Sequence, residues 1–544
     1  MTVSMTTNKK VNKIAVVQTG GCSAVINSTL AGIVENAKAS GLTIYGLLNG
    51  FEGLLNNKII DLSVLTKEQI DKLRNTPAMF LGSSRMFLTK EIFKAIPQKL
   101  NELGIDALIM IGGNGTMYAA KVIHQSAVEQ NIDLVVVGSP KTVDNDMFGI
   151  EYSPGFGSAA KYIAQLVRDI SVDLESMKTF EQVRIIEVMG RSVGWLAAAS
   201  MLAKRSEKGA PHLIYLPEHD FNEAEFVEDV KKVYEENGFV VAVIGEGIHD
   251  SEGNPVGSNP FADVKQASKI YGGASTYLAS LISEKLNLKA RAQDLTMAQR
   301  CFGALRSDID EQKAYKIGFV TIEALKDNHD NEMICLADNN EDYYTIALED
   351  VGGKEKKVPD DFYDAKNKQM TKDFKEWIMP IIGNFDDKYL SDKDNLYFYL
   401  TFQNPLNPNK QISIFTPDFD IALEYNTYPD CKLLLVEHEL SSQSKSDRYK
   451  HPEIDEIYSI YEMSTEKDMP EKNCAIKFGG NVMPIQWGLD NDGKVVKDGN
   501  SFIFQINEIC MKDISVFMAG CIYVYGKIEG NKVTNPFVAY WEYS

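Results

Sequence analysis

The chain has 544 residues, of which 56 are Lys or Arg and 76 are Asp or Glu, so its formal charge is 56 − 76 = −20. A single hydrophobic core seldom exceeds about 250–300 residues, so we expect two to four domains. The acidic balance argues against a nucleic-acid-binding surface, which requires clustered cations. The sequence has no membrane-spanning apolar stretch and no secretory leader pattern at its start, so we expect a cytoplasmic protein that does not bind membranes.

The first part of the chain alternates short apolar runs with helical patterns. The runs occur in KIAVV (13–17), LTIYGLLNG (42–50), DALIMIGG (106–113), DLVVVGSP (133–140), VRIIEVMG (183–190) and FVVAVIGEG (239–247). Continuous apolar runs are typical of parallel strands that helices cover on both faces. The pattern therefore predicts an α/β fold with two lobes, each a parallel sheet flanked by helices, and a cleft between the lobes is the expected place for a reaction with two substrates.

The residue composition and the pattern of apolar residues change beyond about residue 385. Aromatic and β-branched segments follow, separated by Asn, Asp, Gly and Pro: LYFYLTF (396–402), QISIFT (411–416), KLLLVEHEL (432–440), SFIFQINEI (501–509), ISVFMAG (514–520), CIYVYGKIEG (521–530) and FVAYWEYS (537–544). This composition is typical of strands joined by turns. We predict an α/β body over residues 1–388 and a C-terminal, mostly β domain of unknown function over residues 389–544.

Three predicted strands of the first lobe end in glycine and small polar residues. The segments are TGGCS (19–23), GGNGT (112–116) and SPKTVDND (139–146). The carboxyl ends of parallel strands are where open α/β sheets bind ligands, and glycine there lets backbone N–H groups approach a phosphate. One such loop would fit a tight strand-to-helix connection equally well. Three of them at successive strand ends indicate a phosphate-binding site.

The third loop places one cation and two carboxylates within six residues, at Lys141, Asp144 and Asp146. One carboxylate can take a proton from an alcohol while its neighbour holds Mg²⁺ through oxygen ligands. This combination of one cation and two carboxylates suits phosphoryl transfer to a hydroxyl group. The alternative is a turn in which Asp and Asn side chains cap their own backbone, and composition alone leaves both interpretations open.

Eight segments of the chain resemble the phosphofructokinases in both order and spacing. They are TGG-x₅-N (19–27), LGSSR (81–85), GGNGT (112–116), PKTVDND (140–146), PGFGSAAKY (154–162), EVMGRSVGW (187–195), GEG (245–247) and QR (299–300). The chain is especially similar to the branch containing many pyrophosphate-dependent enzymes, whose pattern continues through KVPDDF (357–362) and WIMPIIG (377–383). The resemblance implies a glycolytic, Mg²⁺-dependent enzyme that moves a phosphoryl group from ATP or diphosphate to the 1-hydroxyl of fructose 6-phosphate.

The resemblance also implies a role for each matching residue. Asp144 would be the general base, with Lys141, Thr142 and Arg191 as the other catalytic residues. The residues implied to bind the sugar phosphate are Thr142, Asp144, Met189, Gly190, Arg191, Glu246 and Arg300. Those implied to bind the donor are Gly20, Gly21, Arg85, Gly113, Asn114, Gly115 and Thr116. Asp146 would bind the metal. Asn114 stands where many ATP-using relatives have aspartate, and it would be a weaker ligand because its amide oxygen is neutral.

The choice of donor stays open at this stage. Gly115 favours ATP slightly, because a carboxylate there would crowd and repel the α-phosphate of a nucleotide. Lys141 accompanies pyrophosphate use in the family, although some ATP-dependent members also have it. Met297 stands where many relatives have His or Tyr against the sugar phosphate, and Cys22 follows the first glycine pair where aspartate or a small residue is common.

Family members commonly form dimers or tetramers, so the resemblance implies a homo-oligomer whose ligands are small molecules. A rival hypothesis is a phosphofructokinase-like sensor that binds sugar phosphate or nucleotide with little or no turnover. Asn114, Met297 and the unassigned C-terminal domain favour the sensor. The intact set of acidic and basic residues favours the enzyme.

Overall fold

The chain forms two compact units, Met1–Asp387 and Lys388–Ser544. The computed structural model describes residues 10–84, 86–206, 208–257, 272–295, 297–337, 342–383, 385, 396–404, 407–417, 422, 425–440, 463–464, 476–478, 493–508, 520–529 and 532–542. The predicted boundary between residues 388 and 389 lies in the stretch 386–395, outside the described residues.

Unit 1 alternates strands and helices along most of its length. Its strands are β1 (Lys13–Gln18), β2 (Thr43–Leu47), β3 (Ile59–Asp61), β4 (Ala107–Gly112), β5 (Val135–Pro140), β6 (Val183–Val188), β7 (Leu213–Tyr215), β8 (Val240–Gly245), β9 (Ala290–Asp294), β10 (Glu332–Leu336), β11 (Tyr343–Ala347), β12 (Tyr363–Asp364) and β13 (Gln369–Met370). Its α-helices are α1 (Ile26–Ala39), α2 (Gly50–Leu55), α3 (Lys67–Asn75), α4 (Lys90–Glu102), α5 (Asn114–Glu129), α6 (Phe156–Ser176), α7 (Trp195–Ala199), α8 (Glu223–Asn237), α9 (Ala274–Leu286), α10 (Asp308–Lys326), α11 (Leu348–Val351) and α12 (Lys372–Ile382). Short 3₁₀ turns occur at Ser200–Ala203, Met297–Arg300, Gly303–Leu305 and Asp360–Phe362.

Lobe 1 is built on a seven-stranded sheet in the order β11-β10-β5-β4-β1-β2-β3. The strands from β10 to β2 run parallel, and β3 and β11 pair antiparallel at the two edges. Every residue of β4 and β5 is buried, as expected for strands covered by helices on both faces. Because β1, β4 and β5 are parallel neighbours, their carboxyl ends bring the three glycine-rich loops to one edge of the sheet.

Lobe 2 is built on a four-stranded parallel sheet in the order β7-β8-β6-β9. Strands β6 and β8 are completely buried, and they end at Val188 and Gly245, directly before the MGR and EG residues of the predicted site. The predicted two-lobed α/β architecture is confirmed.

A buried carboxylate joins α10 to α6, which packs in the core of lobe 2. Asp310 accepts hydrogen bonds from the N–H groups of Gly155 (2.9 Å) and Ser158 (3.0 Å) and from the Ser158 hydroxyl (2.6 Å). Burial raises the pKa of Asp310, while these three donors favour the ionised form. Helix α10 itself packs along α1 of lobe 1, where a Cβ at Gly318 would lie 2.0 Å from the carbonyl oxygen of Thr29. Helix α10 therefore connects the two lobes, because it packs on α1 of lobe 1 and binds α6 of lobe 2 through Asp310.

Aromatic side chains from the last third of unit 1 complete the core of lobe 2. Trp195 of α7 lies 5.0 Å from Trp377 and 6.5 Å from both Phe362 and Phe374, measured between ring centroids. Phe156 of α6 packs against the same two tryptophans. The KVPDDF and WIMPIIG segments thus fold back onto lobe 2 and help to hold α7 behind the cleft.

Unit 2 consists mainly of antiparallel strands, which confirms the predicted β-rich C-terminal region. One sheet contains β14 (Tyr397–Gln403), β15 (Lys410–Thr416) and β16 (Leu434–Glu439) in that order. The other contains β17 (Met463–Ser464), β18 (Ile476–Phe478), β19 (Ser501–Asn507), β20 (Cys521–Glu529) and β21 (Lys532–Glu542), and the helix α13 (Gly493–Lys497) precedes β19. The strand predicted at 514–520 falls on residues that, except for Gly520, lie outside the described ones.

Among the described residues, no helix is both long enough and apolar enough to cross a lipid bilayer.

Candidate functional site

A cavity of about 380 Å³ lies in unit 1 at the carboxyl ends of the strands, with lining residues from both lobes. Fourteen of the predicted site residues line it: Gly20, Gly21, Gly113, Asn114, Gly115, Thr116, Lys141, Thr142, Asp144, Asp146, Met189, Arg191, Glu246 and Arg300. Gly190 is not among the lining residues, although its N–H group donates to Glu246 Oε1 over 3.3 Å. Arg85 lies outside the described residues. The fold thus brings together residues that are up to 280 positions apart in sequence.

The first two glycine-rich loops are joined to each other across the sheet edge. The hydroxyl groups of Thr19 and Thr116 are 2.6 Å apart, and the Thr19 N–H donates to the Ile111 carbonyl over 3.0 Å. Gly113 is the N-cap of α5, so Asn114 and Gly115 form the first turn of that helix at the cavity wall. First-turn N–H groups have no acceptor within their own helix, which makes this wall suitable for an anion.

Gly112 and Gly115 are needed for different physical reasons. A Cβ at Gly112 would lie 2.1 Å from the Thr116 hydroxyl oxygen, so any side chain there would displace the start of α5. A Cβ at Gly115 would meet no atom within 4 Å. A side chain at position 115 would therefore extend into open space at the cavity wall, where it would compete with a ligand and not with the protein.

The structure uses the Asn114 side chain in a way that the sequence did not indicate. Its Oδ1 accepts a hydrogen bond from the Gly353 N–H over 2.8 Å, and its Nδ2 donates to the Lys354 carbonyl. Both ends of the amide are thus engaged by a segment about 240 positions away. This arrangement gives no support to Asn114 as a metal ligand, and we leave it out of the proposed metal site.

Lys141 is buried at the floor of the cavity, with 3% of its surface exposed. Its ammonium group donates hydrogen bonds to the carbonyl oxygens of Gly21 and, at 3.5 Å, Thr19. Burial lowers the pKa of Lys141 to about 8, although the Asp144 carboxylate opposes this shift. The cation is therefore held against the first loop, close to where a phosphate would sit.

The two aspartates of the third loop lie in an environment that favours protonation. Burial raises the pKa of Asp144, and Arg191 is the largest influence in the opposite direction. Burial, followed by the charge of Asp144, raises the pKa of Asp146 to about 6. The Oδ1 atom of Asp146 is buried and has no hydrogen-bond partner among the described residues. A buried carboxylate oxygen of this kind fits a divalent cation.

No group of three or more His, Cys, Asp or Glu side chains in the described part of the chain could hold a metal ion. A cation at Asp146 would therefore need most of its oxygen ligands from water and from a bound phosphate donor. Mg²⁺ is commonly bound in this way, through one or two carboxylates together with substrate phosphates.

Asn145 gives the third loop its shape. It is completely buried with φ = 56°, a left-handed conformation that asparagine tolerates better than most residues, and its Oδ1 accepts from the Ser153 N–H over 3.0 Å. The Thr142 hydroxyl accepts from the Asp144 N–H over 3.1 Å. Thr142 thus caps the turn and Asn145 ties it to Ser153, and in this conformation both flanking aspartates line the cavity.

The lobe 2 side of the cavity is organised by Glu246. Its Oε1 accepts from the N–H groups of Gly190 and Arg191, the latter over 3.1 Å. Burial raises the pKa of Glu246, while these two N–H groups oppose the shift. Arg191 has φ = 53°, and a Cβ at Gly247 would lie 1.7 Å from its carbonyl oxygen. The GEG motif thus provides both the acceptor and the space that the MGR turn requires.

Arg300 reaches across the cavity towards the first loop. A Cβ at Gly21 would lie 3.4 Å from its Nη1 atom, and its buried Nε has no hydrogen-bond partner among the described residues. A guanidinium group with an unsatisfied buried N–H is well suited to a phosphate or another oxyanion. The nearby Met297 side chain is 56% exposed and does not line the cavity.

Sequence reasoning singled out LGSSR (81–85) for Arg85 alone and missed Ser83, Ser84, Met86 and Leu88, which the segment 76–88 supplies to the cavity wall. Two buried polar side chains hold this segment in place. Asn27 accepts from the Phe80 N–H over 3.0 Å and donates to the Thr76 carbonyl over 2.9 Å. Gln18 accepts from the Leu81 N–H over 3.0 Å. The small polar residues of LGSSR were the available signal.

The comparisons with known proteins agree with this geometry. The family model described as "Phosphofructokinase" matches residues 13–325. The chain belongs to the phosphofructokinase family. This confirms the resemblance and the prediction that the chain is a member of a family of phosphotransferase enzymes.

Three relatives illustrate the range of this phosphofructokinase family. The chain is 37% identical over 376 residues to a sulfofructose kinase of Alkalicoccus urumqiensis, a match that covers 68% of this chain and 95% of the relative. It is 32% identical over 387 residues to a pyrophosphate–fructose 6-phosphate 1-phosphotransferase of Rhodospirillum rubrum, covering 68% and 94%. The crystal structure of the pyrophosphate-dependent phosphofructokinase of Marinobacter aquaeolei superposes with a TM-score of 0.60 at 29% identity, covering 69% of this chain and 94% of that one.

If Asn27 holds the cavity segment, the Asn27→Ala variant should exchange the backbone amides of residues 76–82 at least about tenfold faster, since its two hydrogen bonds to this segment and its bond to Gln18 are lost. Hydrogen exchange followed by mass spectrometry measures this. Asn36→Ala is the matched control, because Asn36 lies on the same helix and bonds instead to the Phe319 carbonyl and to Glu323. Equal exchange at 76–82 in both variants would contradict the assignment.

Proposed function

We propose that this chain transfers a phosphoryl group from ATP or diphosphate to the 1-hydroxyl of fructose 6-phosphate, giving fructose 1,6-bisphosphate. The observation that carries the proposal is a single cavity in which Asp144, Asp146 and Lys141 of lobe 1 stand together with Arg191 and Glu246 of lobe 2. The family membership supports the reaction class. The arrangement supplies a base, a metal ligand and cations for two anionic substrates.

Asp144 is the proposed general base. Burial has already raised its pKa towards the pH at which the protein works, so the ionised form accepts a proton more readily than a solvent-exposed carboxylate would. The Arg191 charge opposes this rise in the pKa of Asp144 and favours its ionised form. Arg300 would bind the anionic end of the sugar, Glu246 would accept from sugar hydroxyls, and the Met189–Gly190 turn would hold both in place.

The donor would lie against Gly20, Gly21 and the first turn of α5, where backbone N–H groups can donate to its phosphate oxygens. Mg²⁺, when bound at Asp146, would shield the negative charge of the donor phosphates. Lys141 would neutralise charge that develops on the transferred group, since its ammonium already lies beside the first loop. Thr116 and Gly113 complete the donor wall, and the role predicted for Arg85 stays a prediction.

The test is turnover of fructose 6-phosphate by the purified protein with Mg²⁺ and either ATP or diphosphate. We expect product with at least one donor. Asp144→Ser should lower kcat by about 10³-fold and change the affinity for fructose 6-phosphate by no more than severalfold, because the base acts in the transition state and not in binding. An unchanged kcat would refute the role of Asp144.

A protein that turns over neither donor but still binds sugar phosphate or nucleotide would support the sensor hypothesis instead. Isothermal titration with each ligand separates this outcome from a protein that binds nothing.

Two features of the cavity favour ATP over diphosphate as the donor. The first is the open space beside Gly115. The second is the apolar part of the wall, formed by Phe51, Met86, Leu88 and Ala119. A nucleotide base and ribose can cover such a surface, whereas inorganic diphosphate has no apolar part. The relatives named as pyrophosphate-dependent favour the other donor, so we place ATP only slightly ahead.

Gly115→Asp tests donor choice directly. We expect kcat/KM for ATP to fall by about 10²-fold, because the new carboxylate would extend towards the α-phosphate, and kcat/KM for diphosphate to change by no more than severalfold. The substitution should not harm the fold, since aspartate is favoured in the first turn of a helix. Gly115→Asn is the matched control that keeps the size and removes the charge. Equal losses with both donors would reject the idea.

The pH dependence of kcat/KM should be bell-shaped. The carboxylates act when ionised, so activity should fall as the pH drops through about 6, the raised pKa of Asp146. Lys141 acts when charged, so activity should also fall as the pH rises through about 8. Lys141→Arg should move the upper limit to higher pH, because guanidinium keeps its charge. An upper limit that does not move would show that another group sets it.

A second acceptor, sulfofructose, is favoured by one specific observation. Where many relatives have His or Tyr against the sugar phosphate, this chain has Met297, which donates no side-chain hydrogen bond and does not line the cavity. A sulfonate carries one negative charge and needs fewer donors than a phosphate dianion. The sulfofructose kinase named above is also 37% identical to this chain. The same turnover assay with sulfofructose decides between the two acceptors.

A homo-oligomer, either a dimer or a tetramer, and a cytoplasmic location are further proposals that rest on the resemblance and on the sequence alone.

A further inference from the structure

Residues 353–358 form a segment, called the strap below, that crosses from lobe 1 to lobe 2 beside the cavity without lining it. It begins just after α11 and precedes β12. Its first contact is with the donor wall, where the Gly353 N–H and the Lys354 carbonyl bind both ends of the Asn114 amide. None of the site motifs includes Gly353, Lys354, Glu355 or Lys356, so the proposed reaction leaves these residues without a role.

The strap next pairs with the loop that carries the two aspartates. The Lys356 N–H donates to the Asp146 carbonyl over 2.8 Å, and Glu355 forms an antiparallel bridge with Met147. The Lys356 ammonium donates to the Ile150 carbonyl over 3.1 Å and to the Glu151 carbonyl over 2.5 Å. Backbone and side-chain bonds together fix the strap to residues 146–151.

The same residues of the strap also reach lobe 2. The Ser192 hydroxyl donates to Glu355 Oε2 over 2.8 Å, and the Trp195 indole N–H donates to the Lys356 carbonyl over 3.0 Å. The Lys356 ammonium lies 4.9 Å from the centre of the Trp195 ring. Ser192 directly follows Arg191, so Glu355 touches the turn that presents that guanidinium group.

The partly buried Glu218 carboxylate binds the end of the strap and the turn at residues 190–194 together. Its Oε1 accepts from the N–H of Val358, at the end of the strap, over 3.0 Å and from the N–H of Gly194 over 2.9 Å. The turn at residues 190–194 is thus held by Glu246 on the cavity side and by Glu355 and Glu218 on the strap side. A turn with a left-handed arginine keeps that conformation only when its surroundings impose it.

We propose that the strap sets the distance between Asp144 and Arg191, and that Glu355 is a positioning residue for phosphoryl transfer through its hydrogen bond to Ser192. The base and the arginine stand on different lobes, and the strap residues 355 and 356 contact both loops at once. A displacement of about 1 Å between reacting groups can cost up to about 10²-fold in rate. This inference rests on the proposed function.

The kinetic test uses Glu355→Ala, Glu355→Gln and Ser192→Ala. We expect Glu355→Ala to lower kcat by about five- to tenfold with KM for the donor changed less than twofold, since Glu355 touches no substrate. Glu355→Gln should restore most of the rate, because its amide oxygen can still accept from Ser192. The double variant Glu355→Ala/Ser192→Ala should be no slower than the slower single variant. Glu376→Ala, at an exposed ion pair on α12, is the control with unchanged kcat.

Hydrogen exchange gives a readout that does not depend on turnover. In Glu355→Ala the amides of residues 190–195 should exchange faster, while those of α12 should not change. Unaltered exchange at 190–195, a rate equal to that of the unmodified protein, or additive losses in the double variant would each overturn the proposal. A lack of turnover in the unmodified protein would overturn the proposed function alone, and the exchange result would still decide whether the strap holds the turn.

Discussion

The buried ammonium group of Lys141 is the interaction on which the rest of the cleft depends. It donates hydrogen bonds to the carbonyl oxygens of the first glycine loop, and the charge of Asp144 on its own loop favours its protonated form. Two aspartates and a glutamate line the same cavity, in a chain with a formal charge of −20, and Arg191 and Arg300 are the other cations among the described residues that line it. Local cations must therefore overcome a long-range repulsion of anionic ligands, and buried Lys141 is the one that water screens least, because Arg191 is exposed and Arg300 is partly buried.

The fold around Lys141 was largely predictable because the strands whose carboxyl ends reach the cavity are apolar on both faces. Strands β4, β5, β6 and β8 read as continuous apolar runs, and each was predicted close to its observed position. Strand β9, with the sequence ARAQD, was missed because its side chains are partly exposed and mostly polar. A strand at the edge of a sheet need not carry an apolar pattern, so the sequence gives little local signal for it.

Site residues were predictable where a local motif indicates their chemistry. They were not predictable where a contact with a distant part of the chain sets the position of the side chain. Glycines and charged residues at strand ends indicated most of the cavity wall. The role predicted for Asn114 is not supported, because its amide is engaged by a segment about 240 positions later. Asn27 and Gln18 position a cavity segment through tertiary contacts alone, and no local pattern marks a buried amide as a support for a loop 50 or more residues away.

The empty surroundings of Gly115 have a consequence for how such proteins change over time. Most positions in a packed site are constrained by their neighbours, so a new side chain there must also preserve the fold. Position 115 has no such neighbour within 4 Å of an added Cβ. If Gly115 sets the donor as proposed, a single base change at this codon would alter which phosphoryl donor the enzyme uses with little effect on stability, and the donor could change repeatedly in lineages that share this fold.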